Sequence, residues 1–127
     1  MLLSQNKNYK KMKTFGASKE FLLAEEIEWE VVAEGVKRKI KGYDDKIMLV
    51  VVEFEKGAEG SPHEHHHSQV TYVESGEFDF TIGDVTKKVK GGDSVYIPPH
   101  VLHGAICRDK GTLIDVFSPI REDFMGD

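Results

Sequence analysis

Hydrophobic and polar positions in this chain alternate in short runs and almost never recur at helical spacing. Ser18–Glu26 (SKEFLLAEE) is the one stretch that suits a short helix, with Ser18 as N-cap, and a strand fits it equally well. Beyond it the pattern predicts strands over Ile27–Ala33, Val36–Gly42, Lys46–Phe54, Gln69–Glu74 and Glu77–Ile82. Further strands are predicted over Val85–Lys90, Ser94–Ile97, Gly104–Cys107 and Thr112–Phe117. Phe78, Phe80 and Ile82 alternate with polar residues before Gly83-Asp84 turns the chain into Val85, which reads as a hairpin. Gly91-Gly92-Asp93 makes a second turn. Short strands at this spacing describe an all-β fold, either a sandwich or a jelly-roll barrel.

A length of 127 residues suits one domain, since two would each bury too little. The barrel is expected over residues 18–127 and a loose arm over 1–17, whose lysine-rich opening lacks the apolar core of a secretory signal. The longest apolar run, Ile47–Val52, is strand-sized, so no membrane partner is expected. Cys107 is the only cysteine, which excludes an intrachain disulfide and a cysteine-based zinc site and fits a reducing cytoplasm. The net charge of −5 argues against nucleic acid. It also means that any acidic ligand needs positive charge concentrated at its own site.

Chemistry gathers in Gly57–Gly76, GAEGSPHEHHHSQVTYVESG. On an extended strand, side chains two residues apart share a face, so His63 and His65 share one, with Gln69 if the strand stays regular. Two imidazoles and an amide oxygen suit a borderline divalent metal, and His103, on a later strand, is the best fourth ligand. Read from these residues alone, the cluster is as compatible with a solvated loop as with a metal site. A slip of two residues would instead pair His65 with His67. Farther on, Asp115 shares a strand face with Leu113 and Phe117, an unusual place for a carboxylate. Arg121 is close enough to pair with Asp115 and pin the C-terminus, or to clamp a ligand carboxylate.

The spacing around the histidines resembles the first motif of the cupin superfamily: Gly57, His63, His65 and Gly76 fall in place, with Gln69 at the acidic position. Gly92, Pro98 and His103 match the second motif, where His100 replaces a glycine and Cys107 an asparagine. This resemblance implies a single-domain cupin jelly-roll β-barrel holding one divalent ion on His63, His65, Gln69 and His103. His66 and His67 would then be neighbours of the ion or merely exposed. Nickel, zinc, manganese, cobalt and iron all accept such ligands. With glutamine for glutamate the ligand set is uncharged, which would leave the ion a stronger Lewis acid.

The glutamine, the YIPPHVLH stretch and the DVFSPIREDF ending also resemble the pectin-degradation cupins, which linearise unsaturated uronate monomers. The likeness spans Gly57–Phe124 and implies a catalytic set of Asp115, Phe117 and Arg121 acting on a small-molecule sugar acid. A different metal-dependent cupin enzyme, of dioxygenase or decarboxylase type, and a non-catalytic sugar-binding cupin are the alternatives. Exposed sheet edges are compatible with a homodimer.

Overall fold

The computed structural model describes residues 14–126. Eight strands form, all paired antiparallel: β1 (Glu30–Ala33), β2 (Val36–Asp44), β3 (Ile47–Phe54), β4 (Glu59–His63), β5 (Ser68–Ile82), β6 (Val85–Lys90), β7 (Ser94–Ile97) and β8 (His103–Ser118). They make one sheet in the order β1-β2-β3-β8-β5-β6, with β4 added to β8 and β7 to β5. Among the described residues no helix is long and apolar enough to cross a membrane.

Two long strands organise this sheet. β5 and β8 run against each other from Ser68↔Ser118 to Ile82↔His103. One half of β8 pairs with β3 and the other with β4, while β5 is shared between β7 and β6. Each long strand therefore belongs to both walls of the expected jelly-roll barrel. The sequence pattern divides each of them in two, because the alternation breaks at Ser75-Gly76 and at residues 108–111. The structure bridges those breaks with register shifts between Val73 and Phe78. Gly76 and Gly111 make the close approach there: a Cβ on Gly76 would lie 2.5 Å from the Gly111 Cα, and one on Gly111 would collide with the Ser75 carbonyl.

Inward positions alternate as period 2 demands. Gln69, Thr71, Val73, Phe78 and Phe80 of β5 point in, while Val70, Tyr72 and Glu74 point out. One core cluster holds Phe54, Val73, Phe78, Ile97, Cys107 and Leu113, with the Phe54 and Phe78 rings edge to face at 5.2 Å. A second holds Met48, Val50, Phe117 and Ile120, with Tyr43 and Phe124 packed against it. Between them lies a cavity of about 220 Å³.

Ser18–Glu26 forms neither the helix nor the strand expected of it; only Ala24–Glu26 makes a 3-10 turn. Phe21 and Leu23 are exposed, so no apolar face is buried to stabilise so short a helix. Of the arm expected at 1–17, residues 1–13 lie outside the described residues. At its end the Phe15 N–H donates to Asp45 Oδ1 at 2.7 Å, and its ring packs on the second cluster. β4 is absent from the sequence reading, since EGSPH combines a proline with polar residues and shows no alternation of apolar positions.

Candidate metal centre and active site

His63 ends β4 and His103 opens β8, and the two are direct cross-strand partners. A register shift between Gly60 and His63 sets that pairing. His65 lies on the connection to β5, and Gln69 enters β5 with its side chain buried. The His63 and His103 ring centroids are 4.4 Å apart, His65 and His103 4.9 Å, and His63 and His65 5.5 Å. One ring nitrogen from each of the three lies within 4.8 Å of the others.

Backbone carbonyls fix the tautomers. Nδ1 of His63 donates to the Ser61 carbonyl at 2.9 Å, that of His103 to Val101 at 2.9 Å, and that of His65 to His67 at 3.2 Å. All three Nε2 atoms are thereby left with a lone pair, the form a metal ligand needs. His103 Nε2 is buried without a partner. His65 Nε2 stands 2.9 Å from the Gln69 amide oxygen, so two lone pairs face each other. Protonation does not relieve this, because burial, with help from the Arg121 charge, lowers the His65 pKa to about 4. Burial lowers His103 as well. A divalent cation resolves both the orphaned nitrogen and the opposed lone pairs. The 2.9 Å spacing also suits neighbouring donors on an ion with bonds of roughly 2.1 Å. The residues fit the metal that the sequence implies.

Asp115 sits behind this group on β8, opposite Thr71. Thr71 Oγ1 donates to Asp115 Oδ1 at 2.6 Å, and Gln69 Nε2 reaches the same oxygen at 3.4 Å while also donating to Thr71 Oγ1 at 2.9 Å. Burial outweighs these bonds and raises the Asp115 pKa to about 6. The direct Asp115–Arg121 pair considered from sequence does not form. Arg121 instead makes a fork to Asp123, Nε to Oδ1 at 3.0 Å and Nη2 to Oδ2 at 2.7 Å. Its guanidinium carbon lies 5.0 Å from the Phe117 centroid and 4.2 Å from that of Phe124. Glu122–Met125 winds into a 3-10 turn that brings Phe124 to the wall of the cavity. Asp115, Phe117, Arg121, His63, Gln69 and His103 all line that cavity.

Residues 50–117 match the family model described as "Cupin domain". The chain belongs to the cupin family. Similar proteins include the pectin degradation protein KdgF of Dickeya dadantii, 39% identical over 83% of this chain and 97% of that one. The structure of KdgF from a Halomonas species matches with a TM-score of 0.80 at 35% identity, covering 84% of this cupin and 99% of that chain. An RmlC-like cupin from Shewanella frigidimarina matches with a TM-score of 0.84 at 47% identity, over 87% and 99% of the two chains.

The rest of the histidine run has a different job in this cupin. His67 is buried, and its Nε2 donates to Glu122 Oε1 at 2.6 Å and to the Ile120 carbonyl at 3.0 Å. His66 Nε2 is 3.3 Å from Glu122 Oε2. The two thus clip the histidine loop to the segment carrying Arg121. The slipped register finds no support, since His67 Nε2 is held by Glu122 and neither ring nitrogen of His67 joins the cluster of His63, His65 and His103. Three residues of the site escaped the sequence reading: Thr71, Phe124 and Arg38. Arg38 had a readable signal, because in VKRKIKG it falls in register with Val36 and Ile40. That is the same anomaly that singled out Asp115.

Proposed function

We propose that this cupin is a metal-dependent isomerase that opens the ring of 4,5-unsaturated uronate monosaccharides to the linear 5-keto-4-deoxyuronates, in pectin or alginate breakdown. The observation that carries this reading is Asp115. It is a carboxyl with its pKa raised to about 6, hydrogen-bonded to Thr71 and Gln69, in a cavity lined also by His63, His103 and the buried Arg121. The similarity to KdgF proteins supports the same assignment.

Each residue then has a task. His63, His65, Gln69 and His103 would hold the metal, which when bound supplies Lewis-acid polarisation of sugar oxygens and stabilises developing negative charge. Asp115 takes the proton of the anomeric hydroxyl; the ring C–O bond breaks, carbon 1 becomes an aldehyde, and the electron pair passes to the ring oxygen as an enolate. Returning that proton to carbon 4 gives the 5-keto product, so the reaction is a balanced isomerisation. A carboxyl with a pKa near 6 suits both halves of this transfer at neutral pH. Thr71 holds the Asp115 carboxylate in place, Arg121 binds the substrate carboxylate, and Phe117 packs against the sugar ring. A cytoplasmic location goes with this reading, and a single unpaired thiol, Cys107, is compatible with a reducing compartment.

The test is a timed ultraviolet assay with unsaturated galacturonate monomer, following loss of the conjugated-carboxylate absorbance against an enzyme-free control. Metal-loaded protein is expected to accelerate the loss, and Asp115→Asn to remove roughly 10²–10⁴-fold of that acceleration. No acceleration with any of nickel, zinc, manganese, cobalt or iron discards the uronate reading.

A further inference from the structure

Arg38 is a second cation of the cavity that the mechanism above does not use. It projects inward from β2, its side chain 14% exposed, and lines the cavity with Arg121, Phe124 and Asp115. Its sequence neighbours take the ordinary course for cations on a strand: Lys37 and Lys39 lie over the Trp29 ring, at 4.7 and 4.8 Å. Burying an arginine costs free energy unless its donors are met. Only Nε of Arg38 is met among the described residues, donating to Glu30 Oε1 at 2.9 Å. Glu30 itself is 58% exposed, so a pair with it offsets little of that cost.

Phe124 fixes the direction of the group. The Arg38 guanidinium carbon lies 3.8 Å from the Phe124 centroid, and Arg121 contacts the same ring. Stacking covers a face of a guanidinium and leaves its N–H edge to bind. The two arginines differ in what that edge has left. Arg121 spends Nε and Nη2 on Asp123, whereas both Nη nitrogens of Arg38 make no hydrogen bond to a described residue. A pair of parallel N–H groups at the end of a held, half-dry guanidinium is the shape that takes a carboxylate with two hydrogen bonds.

We infer that Arg38 is an anion-binding residue of the cavity that grips the substrate carboxylate by its terminal N–H pair, with Phe124 as its platform and Glu30 as its anchor. Naming the ligand a sugar acid rests on the isomerase reading; the anion site itself does not. Arg121, already forked to Asp123, then adds its charge to the same carboxylate without a free fork of its own. Specificity for an acidic sugar over a neutral one follows from Arg38.

Calorimetric titration of the metal-loaded protein separates these points. The probes are D-galacturonate, which lacks the 4,5 double bond and cannot react, and neutral D-galactose. Arg38→Gln is expected to weaken galacturonate binding by about 10- to 100-fold and to leave galactose unchanged, since hydrogen bonds to charged groups are lost. Arg38→Lys, which keeps the charge and loses the fork, is expected to fall between and covers the case in which the glutamine variant fails to fold. With unsaturated galacturonate the same variants should raise KM and leave kcat within a few-fold. Galacturonate binding that depends on Arg38, in a protein that turns over no unsaturated uronate, would discard the isomerase and keep this inference. Equal galacturonate binding by wild type and either variant, no binding by wild type, or equal loss of galactose overturns it.

Discussion

Gln69 is the residue on which the proposed metal ligands and the proposed proton-transfer group meet. Its oxygen faces His65 Nε2 and its nitrogen faces Asp115 Oδ1, so one amide serves both. A glutamate there would bring a second negative charge to Asp115 and withdraw the N–H that now points at it. Gln69→Glu should therefore hold a divalent metal more tightly against a competing chelator and lose roughly tenfold or more in uronate turnover. Tighter retention together with undiminished turnover would contradict the role given to the neutral amide. Asp115 carries a cost of its own. Its folded pKa is raised to about 6 while the unfolded chain ionises near 4, so between those values the unfolded state releases its proton first. Stability is thus undiminished below pH 4, declines as the pH rises to about 6, and stays reduced above it. In metal-free protein, Asp115→Asn should gain on the order of 2 kcal/mol at pH 8 and nothing at pH 4, measured by urea unfolding. A gain independent of pH would show that ionisation is not its source.

The candidate site rests on elements of unequal legibility. β2, β3, β6 and β7 could be read almost to the residue, because alternation and turn glycines say the same thing there. β5 and β8 read as four strands, since Gly76 and Gly111 interrupt the alternation without interrupting the pairing. A glycine that breaks a pattern in one dimension can be required by a close approach in three. That approach gives an expectation: Gly111→Ala would drive a methyl into the Ser75 carbonyl. It should cost about 3 kcal/mol, at the upper end of overpacking, in denaturant unfolding. A cost below 1 kcal/mol would mean that the two strands can separate there without loss. The clustering of His63, His65 and His103 was readable because His-x-His spacing survives the irregular backbone that carries it. The backbone acceptors Ser61, His67 and Val101 were not, since no side chain announces them. Arg121 was found, but of the two roles weighed for it the direct pair with Asp115 does not form, because the guanidinium is forked to Asp123 two residues farther on.

At the scale of the whole molecule, an acidic chain of net charge −5 nonetheless places two arginines, Arg38 and Arg121, in its cavity, as the proposed anionic substrate requires. The candidate ligands are also spread so that one ion bound there would tie several elements together. His63 closes β4, His65 holds the connection after it, Gln69 opens β5, and His103 opens β8. β4 is the weakest of these, pairing with β8 alone and through only three registered residue pairs. An ion bound to the folded chain and not to the unfolded one stabilises by mass action, about 2.7 kcal/mol at a free concentration one hundred times its Kd. For a domain of this size that corresponds to a melting temperature higher by roughly 10 °C. Stripping the metal should remove this increment and restoring it should return it. His63→Ala should abolish the metal response and leave the metal-free melting temperature almost unchanged, because His63 is exposed. A melting temperature indifferent to every candidate metal would empty the His63–His65–Gln69–His103 site of its assigned ion. A metal response that survives His63→Ala would move the ion elsewhere, with the cluster of His66, His67 and Glu122 the first place to look.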